Sequence, residues 1–198
     1  TLIFTSSSLA MCYVLGLGAA LLFNHDFPGR NILRGIMLIP YVTPGVVAFT
    51  NLRFMFLREY GIVNHILFKL NLIDSPVSWL TGSNVIYTIT IAHVWKSWPF
   101  WFIILLAQLQ GIPEELYDAA SIDGASRLQS FRMITLPLVK EVSMILVLLN
   151  SLWYFNNFNV PFIMLGQVPP PEGKTLAYFI YQKSFLFWEF GHGAAMST

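Results

Sequence analysis

Charge is what this sequence has least of. Of 198 residues, only 11% are Asp, Glu, Lys or Arg, against 56% hydrophobic, where ordinary soluble domains run near 25% charged. Mean hydropathy is +0.62. A soluble globule of this size would have to hide most of that apolar surface, with too few charges left to cover its outside. A disordered chain is excluded more firmly still. Cysteine is equally scarce. Cys12 stands alone, so an internal disulfide framework and a multi-cysteine metal site are ruled out. The net charge of +1 gives no footprint for nucleic acid. A basic leader segment is missing as well. The first apolar run opens at Thr1 with no basic stretch ahead of it, so it does not read as a signal peptide. We expect a piece of a longer chain, cut within or beside membrane helices at both ends.

What the sequence does have is aromatic residues, 17 Phe, 8 Tyr and 6 Trp, and long runs between charges. Both fit a bilayer protein with interfacial anchors. A helix needs roughly 20 residues to cross about 30 Å of hydrocarbon, and the gaps between charges place the spans at about 1–23, 35–56, 85–109 and 138–160. The stretch from Thr175 onward reads as the opening of one more, near 188–198. In the first run, Gly16, Gly18, Ala19 and Ala20 suit close helix contact. In the second, Pro40 and Pro44 argue for a kinked or late-starting helix. They mark either a functional bend or proline tolerated within a bundle. Between spans, "GIVNHILFKLNLI" carries apolar residues near helical spacing but is too short and polar to cross. It is expected flat at the interface, with Pro76, Trp79 and Gly82 marking a turn or re-entry.

Two features break the apolar pattern. Lys96 falls inside the third span, among Trp95, Trp98, Pro99, Phe100 and Trp101. A charge there faces protein interior or water, or snorkels; a pathway role and a structural role both remain open. Asn150, Asn156, Asn157 and Asn159 sit beside Trp153, Tyr154 and Phe155. Amides can hydrogen-bond sugar hydroxyls and aromatic faces can pack on a ring, but helix–helix hydrogen bonding explains them as well. The substrate-pathway candidates are therefore Lys96, Trp98, Trp101, Asn150, Trp153, Asn156 and Asn157.

The segment Gln110–Glu141 concentrates Glu114, Glu115, Asp118, Asp123, Arg127, Arg132, Lys140 and Glu141, eight of the 21 charged residues. It must lie in water or against another protein. It reads as two short helices joined at a glycine. Pro113 opens the first, acids crowd its positive end, Ala119 and Ala120 are small, and Asp123-Gly124 breaks it. Lys and Arg do not settle the orientation, because each side of the membrane would hold five of them.

Within that segment "EELYDAASIDGASRLQSFRMITLP" resembles the EAA loop of the permease subunits of binding-protein-dependent ABC importers. That family's pattern is E-A-A, three residues, G, nine residues, I-x-L-P. Here Asp118-Ala119-Ala120, Gly124 and Ile134-Thr135-Leu136-Pro137 keep every spacing, with Asp118 in place of the usual Glu. "RGIMLIPYVTPGVVAFTNLRFMFLREYGIVNHIL", "VWKSWPFWFIILLAQLQGIPEELYDAA" and "NNFNVPFIMLG" are similar to the maltose- and glycerol-phosphate-type permeases.

The resemblance implies an all-α polytopic bundle of the type I importer kind, a partial transmembrane domain over 1–198, in a bacterial or archaeal cell membrane. Its coupling loop, 110–137, would face the cytoplasm, with a coupling helix over 113–126. Glu115, Asp118, Ala119, Ala120, Asp123, Gly124, Arg127 and Pro137 would then meet a separate ATPase subunit. The implied partners are a second permease subunit, two ATPase subunits and an extracytoplasmic solute-binding protein. The implied ATP and Mg sit on the ATPase, so the chain would bind no cofactor and would not be an enzyme. An ion-coupled secondary carrier is the alternative, and it would want acids inside the spans. Two other signals fail. Gly173-Lys174-Thr175 lacks the earlier glycine of a phosphate loop, Val168 standing there. His25, His65, His93 and His192 form no metal-ligand spacing, and the Asp118/Asp123 pair has no concave domain around it to make a glycosidase dyad.

Overall fold

A computed structural model describes residues 1–198. It is all helix, without a strand: α1 (Leu2–Asn24), α2 (Arg30–Val42), α3 (Gly45–Met55), α4 (Ile62–Lys69), α5 (Val85–Gln110), α6 (Glu114–Ile122), α7 (Arg127–Ser130), α8 (Leu136–Phe155), α9 (Asn159–Leu165), α10 (Leu176–Tyr181) and α11 (Phe190–Ser197). Three continuous helical stretches are long and apolar enough to cross a membrane, Leu2–Asn24, Gly82–Gln110 and Arg127–Phe155.

The run expected as one span over 35–56 is two helices, α2 and α3, bent by 89°. The break has a local cause. Pro44 has no N–H to give the ladder, and it pushes Thr43 out of the helical region. Pro44 itself is extended, at ψ 133°. Pro40, by contrast, is absorbed inside α2. The run expected over 138–160 also divides. α8 stops at Phe155, and the Asn157 side chain accepts a hydrogen bond from the Val160 N–H (3.1 Å) as α9 begins. Asn side chains compete with the helix ladder in this way. The stretch from Thr175, expected to open another span, holds only short helices. A five-residue π turn, Gln182–Leu186, and a left-handed Trp188 (φ 59°) separate α10 from α11. Lys183 closes the bend on Glu189 at 2.8 Å.

The chain forms two compact units. The first comprises Thr1–Ser8, Thr43–Lys96 and Ser151–Thr198. Its core joins Phe4, Phe49, Val85, Ile89, Ala92, Val160 and Met164. α3 packs along α9, and Phe158, Phe162, Tyr178 and Tyr181 form a ring cluster at 4.6–6.3 Å between centroids. Within this unit Asn64 fixes the return of the chain after α4. Its Nδ2 donates to the Arg58 and Val77 carbonyls (both 2.9 Å), and its Oδ1 accepts from the Val77 N–H (3.3 Å) and Trp79 Nε1 (2.7 Å).

The second unit comprises Leu9–Val42 and Ser97–Asn150. Here Gly16 brings α1 against α5. A β-carbon at that position would sit 2.6 Å from the Trp101 Cβ, inside contact distance. Phe23 crosses Phe102 edge-on at 5.6 Å. Arg34 donates to the Phe23 carbonyl (2.5 Å), satisfying one of the orphan acceptors at the end of α1.

Candidate functional site

The charged segment folds as a braced helical hairpin. Pro113 lies extended (ψ 133°) ahead of α6, and Glu114 and Glu115 occupy its first turn, where the unpaired N–H groups favour negative charge. α6 ends in a Schellman turn. The Ala125 N–H reaches the Ala120 carbonyl (2.9 Å) and the Gly124 N–H reaches Ser121 (3.0 Å). Gly124 is left-handed at φ +78°, which is why glycine is needed there. α7 begins at once with a capping box. The Ser126 N–H donates to Gln129 Oε1 (2.7 Å), and the Gln129 N–H donates to Ser126 Oγ (3.3 Å). The chain then passes through a π turn, Phe131–Thr135, into α8.

One side chain ties this hairpin to the foot of α8, and a second ties α5 to α8. The Tyr117 hydroxyl meets Thr135 Oγ1 at 2.9 Å, and Gln108 Nε2 donates to the Leu138 carbonyl at 3.2 Å. Residues 117 and 118 point about 100° apart around a helix, so anchoring Tyr117 turns Asp118 away from the brace. Glu115, Asp118, Ala119, Asp123, Gly124, Arg127 and Pro137 are all exposed, and Ala120 is half-buried. Ile122 is 87% exposed. The sequence names the acids, the alanines and Gly124, and Thr135 within the closing motif, but not Ile122 or Tyr117. A helical projection of residues 114–122 would have shown Ile122 on the same side as Asp118 and Ala119. Nothing local in the sequence marks Thr135 as the partner of Tyr117.

The seven pathway candidates divide between the two units. Lys96, Trp153, Asn156 and Asn157 belong to the first unit, and Trp98, Trp101 and Asn150 to the second. Lys96 donates to the Thr43 carbonyl at 2.6 Å, at the break between α2 and α3. Trp101 is fully buried against Gly16. Asn150 is also buried, and its Nδ2 bonds the Leu146 carbonyl one turn back at 2.9 Å. Asn157 spends its oxygen starting α9. Trp153 and Asn156 are exposed, and Trp98 is half-buried. His93, passed over in the sequence, is buried between Phe4 (5.2 Å) and Tyr154 (4.3 Å, edge-on), with no hydrogen-bond partner at Nε2. None of the ten acids is buried, and no cluster of His, Cys, Asp or Glu could hold a metal ion.

Comparison with known proteins agrees with this architecture. The trehalose/maltose transport system permease protein MalF of Thermococcus litoralis is 36% identical over 198 residues, covering all of this chain and 66% of the relative. The sulfoquinovosyl glycerol transport system permease protein SmoG of Agrobacterium fabrum is 32% identical, covering all of this chain and 64% of the relative. The chain thus spans about two thirds of the length of these curated relatives. Among solved structures, a bacterial alginate ABC transporter in complex with an alginate pentasaccharide-bound periplasmic protein superposes with a TM-score of 0.80. It is 23% identical and covers 99% of this chain and 69% of that one, so it shares the fold. The family model of the binding-protein-dependent transport system inner membrane component matches residues 13–188, and the chain belongs to that family.

Proposed function

We propose that this chain is part of the membrane subunit of an ATP-driven carbohydrate importer, and that α6 with its Schellman turn is the element on which a separate ATPase subunit pushes. The observation that carries this reading is the brace. An exposed helix with an acidic first turn and a small-residue stretch is tied through Tyr117 to Thr135, at the foot of α8. A helix held crosswise can transmit a push from outside the bilayer to the spans. Ala119 lets a partner surface approach closely, and Glu115, Asp118 and Asp123 offer carboxylates to bases on that partner. Alternating access then follows as a switch between two packings of the bundle. ATP and its Mg stay on the ATPase, and this chain breaks no bond.

The MalF and SmoG relatives, named for sugar and sugar-glycerol transport, support a carbohydrate as the solute. The periplasmic protein bound in the alginate structure supports an extracytoplasmic solute-binding protein as a further partner, beside a second permease subunit. An ion-coupled carrier is disfavoured by the match to the binding-protein-dependent transport family. The test is co-purification of the ATPase with the assembled transporter. Ala119→Leu and Gly124→Val should each lower ATPase retention about tenfold, equivalent to about 1.4 kcal/mol, while Gly18→Ala leaves it unchanged. Retention unaffected by both loop variants would overturn the assignment.

A further inference from the structure

We infer that the second unit carries a binding groove for one anionic phospholipid, formed between α1 and the first three turns of α8. The cavity measures about 800 Å³ and is lined by Tyr13, Leu136, Pro137, Lys140, Ser143, Met144, Val147 and Leu148. Its chemistry is sorted by position. Lys140, near one end, is exposed and takes part in no ion pair. Its neighbours one turn away on the same helix face are Leu136, Pro137, Ser143 and Met144, none of them acidic. Glu141 is adjacent in sequence and so points away by about 100°.

Beyond Lys140 the groove offers little to a polar ligand. Ser143 spends its proton on the Val139 carbonyl (2.8 Å), and the Tyr13 hydroxyl lies 3.5 Å from Ser143 Oγ. Met144, Val147 and Leu148 are all at least 41% exposed and present hydrocarbon.

A cation at one end and an apolar channel for the rest match an anionic headgroup with one acyl chain. The dimensions agree. From Lys140 to Leu148 the helix advances eight residues, roughly 12 Å at about 1.5 Å each. One leaflet's hydrocarbon is roughly half of 30 Å deep. A sugar path would need donors and acceptors along its length. The chain itself places no anion beside Lys140. A phosphodiester supplies that charge, and ammonium–phosphate hydrogen bonds are among the stronger ones.

The inference is independent of the ATPase assignment. Its test uses the assembled transporter in nanodiscs of equal parts phosphatidylcholine and phosphatidylglycerol. The readout is native mass spectrometry of the lipid retained after release into detergent. One phosphatidylglycerol per permease is expected in preference to phosphatidylcholine. Lys140→Gln should lower retention about tenfold, and Lys140→Arg should restore it. Val147→Trp, which fills the channel without touching charge, should lower it comparably, and Lys69→Gln should leave it unchanged. Equal retention of the two lipids would overturn the proposal, as would insensitivity to both groove substitutions. So would zero-length crosslinking of Lys140 to an acidic residue of the second permease subunit, or of another segment of the longer chain.

Discussion

Replacing Gly16 by alanine should destabilise the bundle, although alanine is the better helix former. The new β-carbon would lie 2.6 Å from the Trp101 Cβ and 3.1 Å from the Phe102 nitrogen. Neither atom is the free end of a flexible side chain, and Trp101 is fully buried. Relief therefore requires α1 and α5 to separate locally. Overpacking of this kind costs about 1–3 kcal/mol. Removing glycine from a helix interior returns about 1 kcal/mol, which leaves a net loss of up to about 2 kcal/mol. Gly18 supplies the control on the same helix, since a β-carbon there meets nothing within 4 Å. Gly18→Ala should gain up to about 1 kcal/mol, so the two substitutions should differ by the overpacking cost, about 1–3 kcal/mol. Unfolding of the permease in detergent micelles, followed by tryptophan fluorescence against rising denaturant, reads that difference. If both variants shift the midpoint equally and in the same direction, close approach at Gly16 is not what holds this contact.

Lys96→Met should cost about 1.5–3 kcal/mol, the range for a hydrogen bond to a charged donor, by removing the 2.6 Å bond to the Thr43 carbonyl; the same unfolding assay measures it. Asn64→Leu removes four hydrogen bonds at once. It should speed amide hydrogen exchange over residues 57–79 while leaving α5 protected, and uniform exchange across both would refute Asn64 as the local pin. Ser126→Ala should lose the capping box and about 1 kcal/mol, seen as faster exchange in α7. Tyr117→Phe should leave ATPase retention near normal but lower solute-stimulated ATP turnover, because the brace to Thr135 is lost while the exposed face of α6 is kept. Unchanged stimulation would show that the brace carries no force.

Much of this architecture can be read from the chain because membrane spans and helix ends are local features. The gaps between charges find α1, α5 and α8, since each side chain's transfer energy counts separately. Pro113 and Gly124 announce their turns because a helix start or a left-handed residue depends on its immediate neighbours. Three-dimensional coincidences are not legible in this way. Gly16, Gly18, Ala19 and Ala20 are equal candidates for helix contact in the sequence, yet a β-carbon at Gly16 meets Trp101 while one at Gly18 meets open space. The crossing point depends on the partner helix. Asn150 and Asn156 carry the same amide, but one is buried back-bonding in α8 and the other exposed at its end. Asn64 gives no signal at all, because its four partners are fixed only when the chain returns at Val77 and Trp79.

Lys96 shows how such a coincidence changes a functional reading. Within a span, a lysine among tryptophans suggests a ligand for the solute. The bend between α2 and α3 supplies a different use, because Pro44 cannot continue the ladder and the carbonyl of Thr43 faces a donor from α5. Gly45 helps make that approach possible. A β-carbon there would lie 3.7 Å from the Lys96 Cε, so even alanine would fit, but a larger side chain would press on the lysine stem. The two readings separate by experiment. Gly45→Leu should destabilise the permease as Lys96→Met does, and the pair should be non-additive, because both act on one contact. If Lys96 instead served the solute directly, Lys96→Met would weaken transport without lowering stability, and the two substitutions would add.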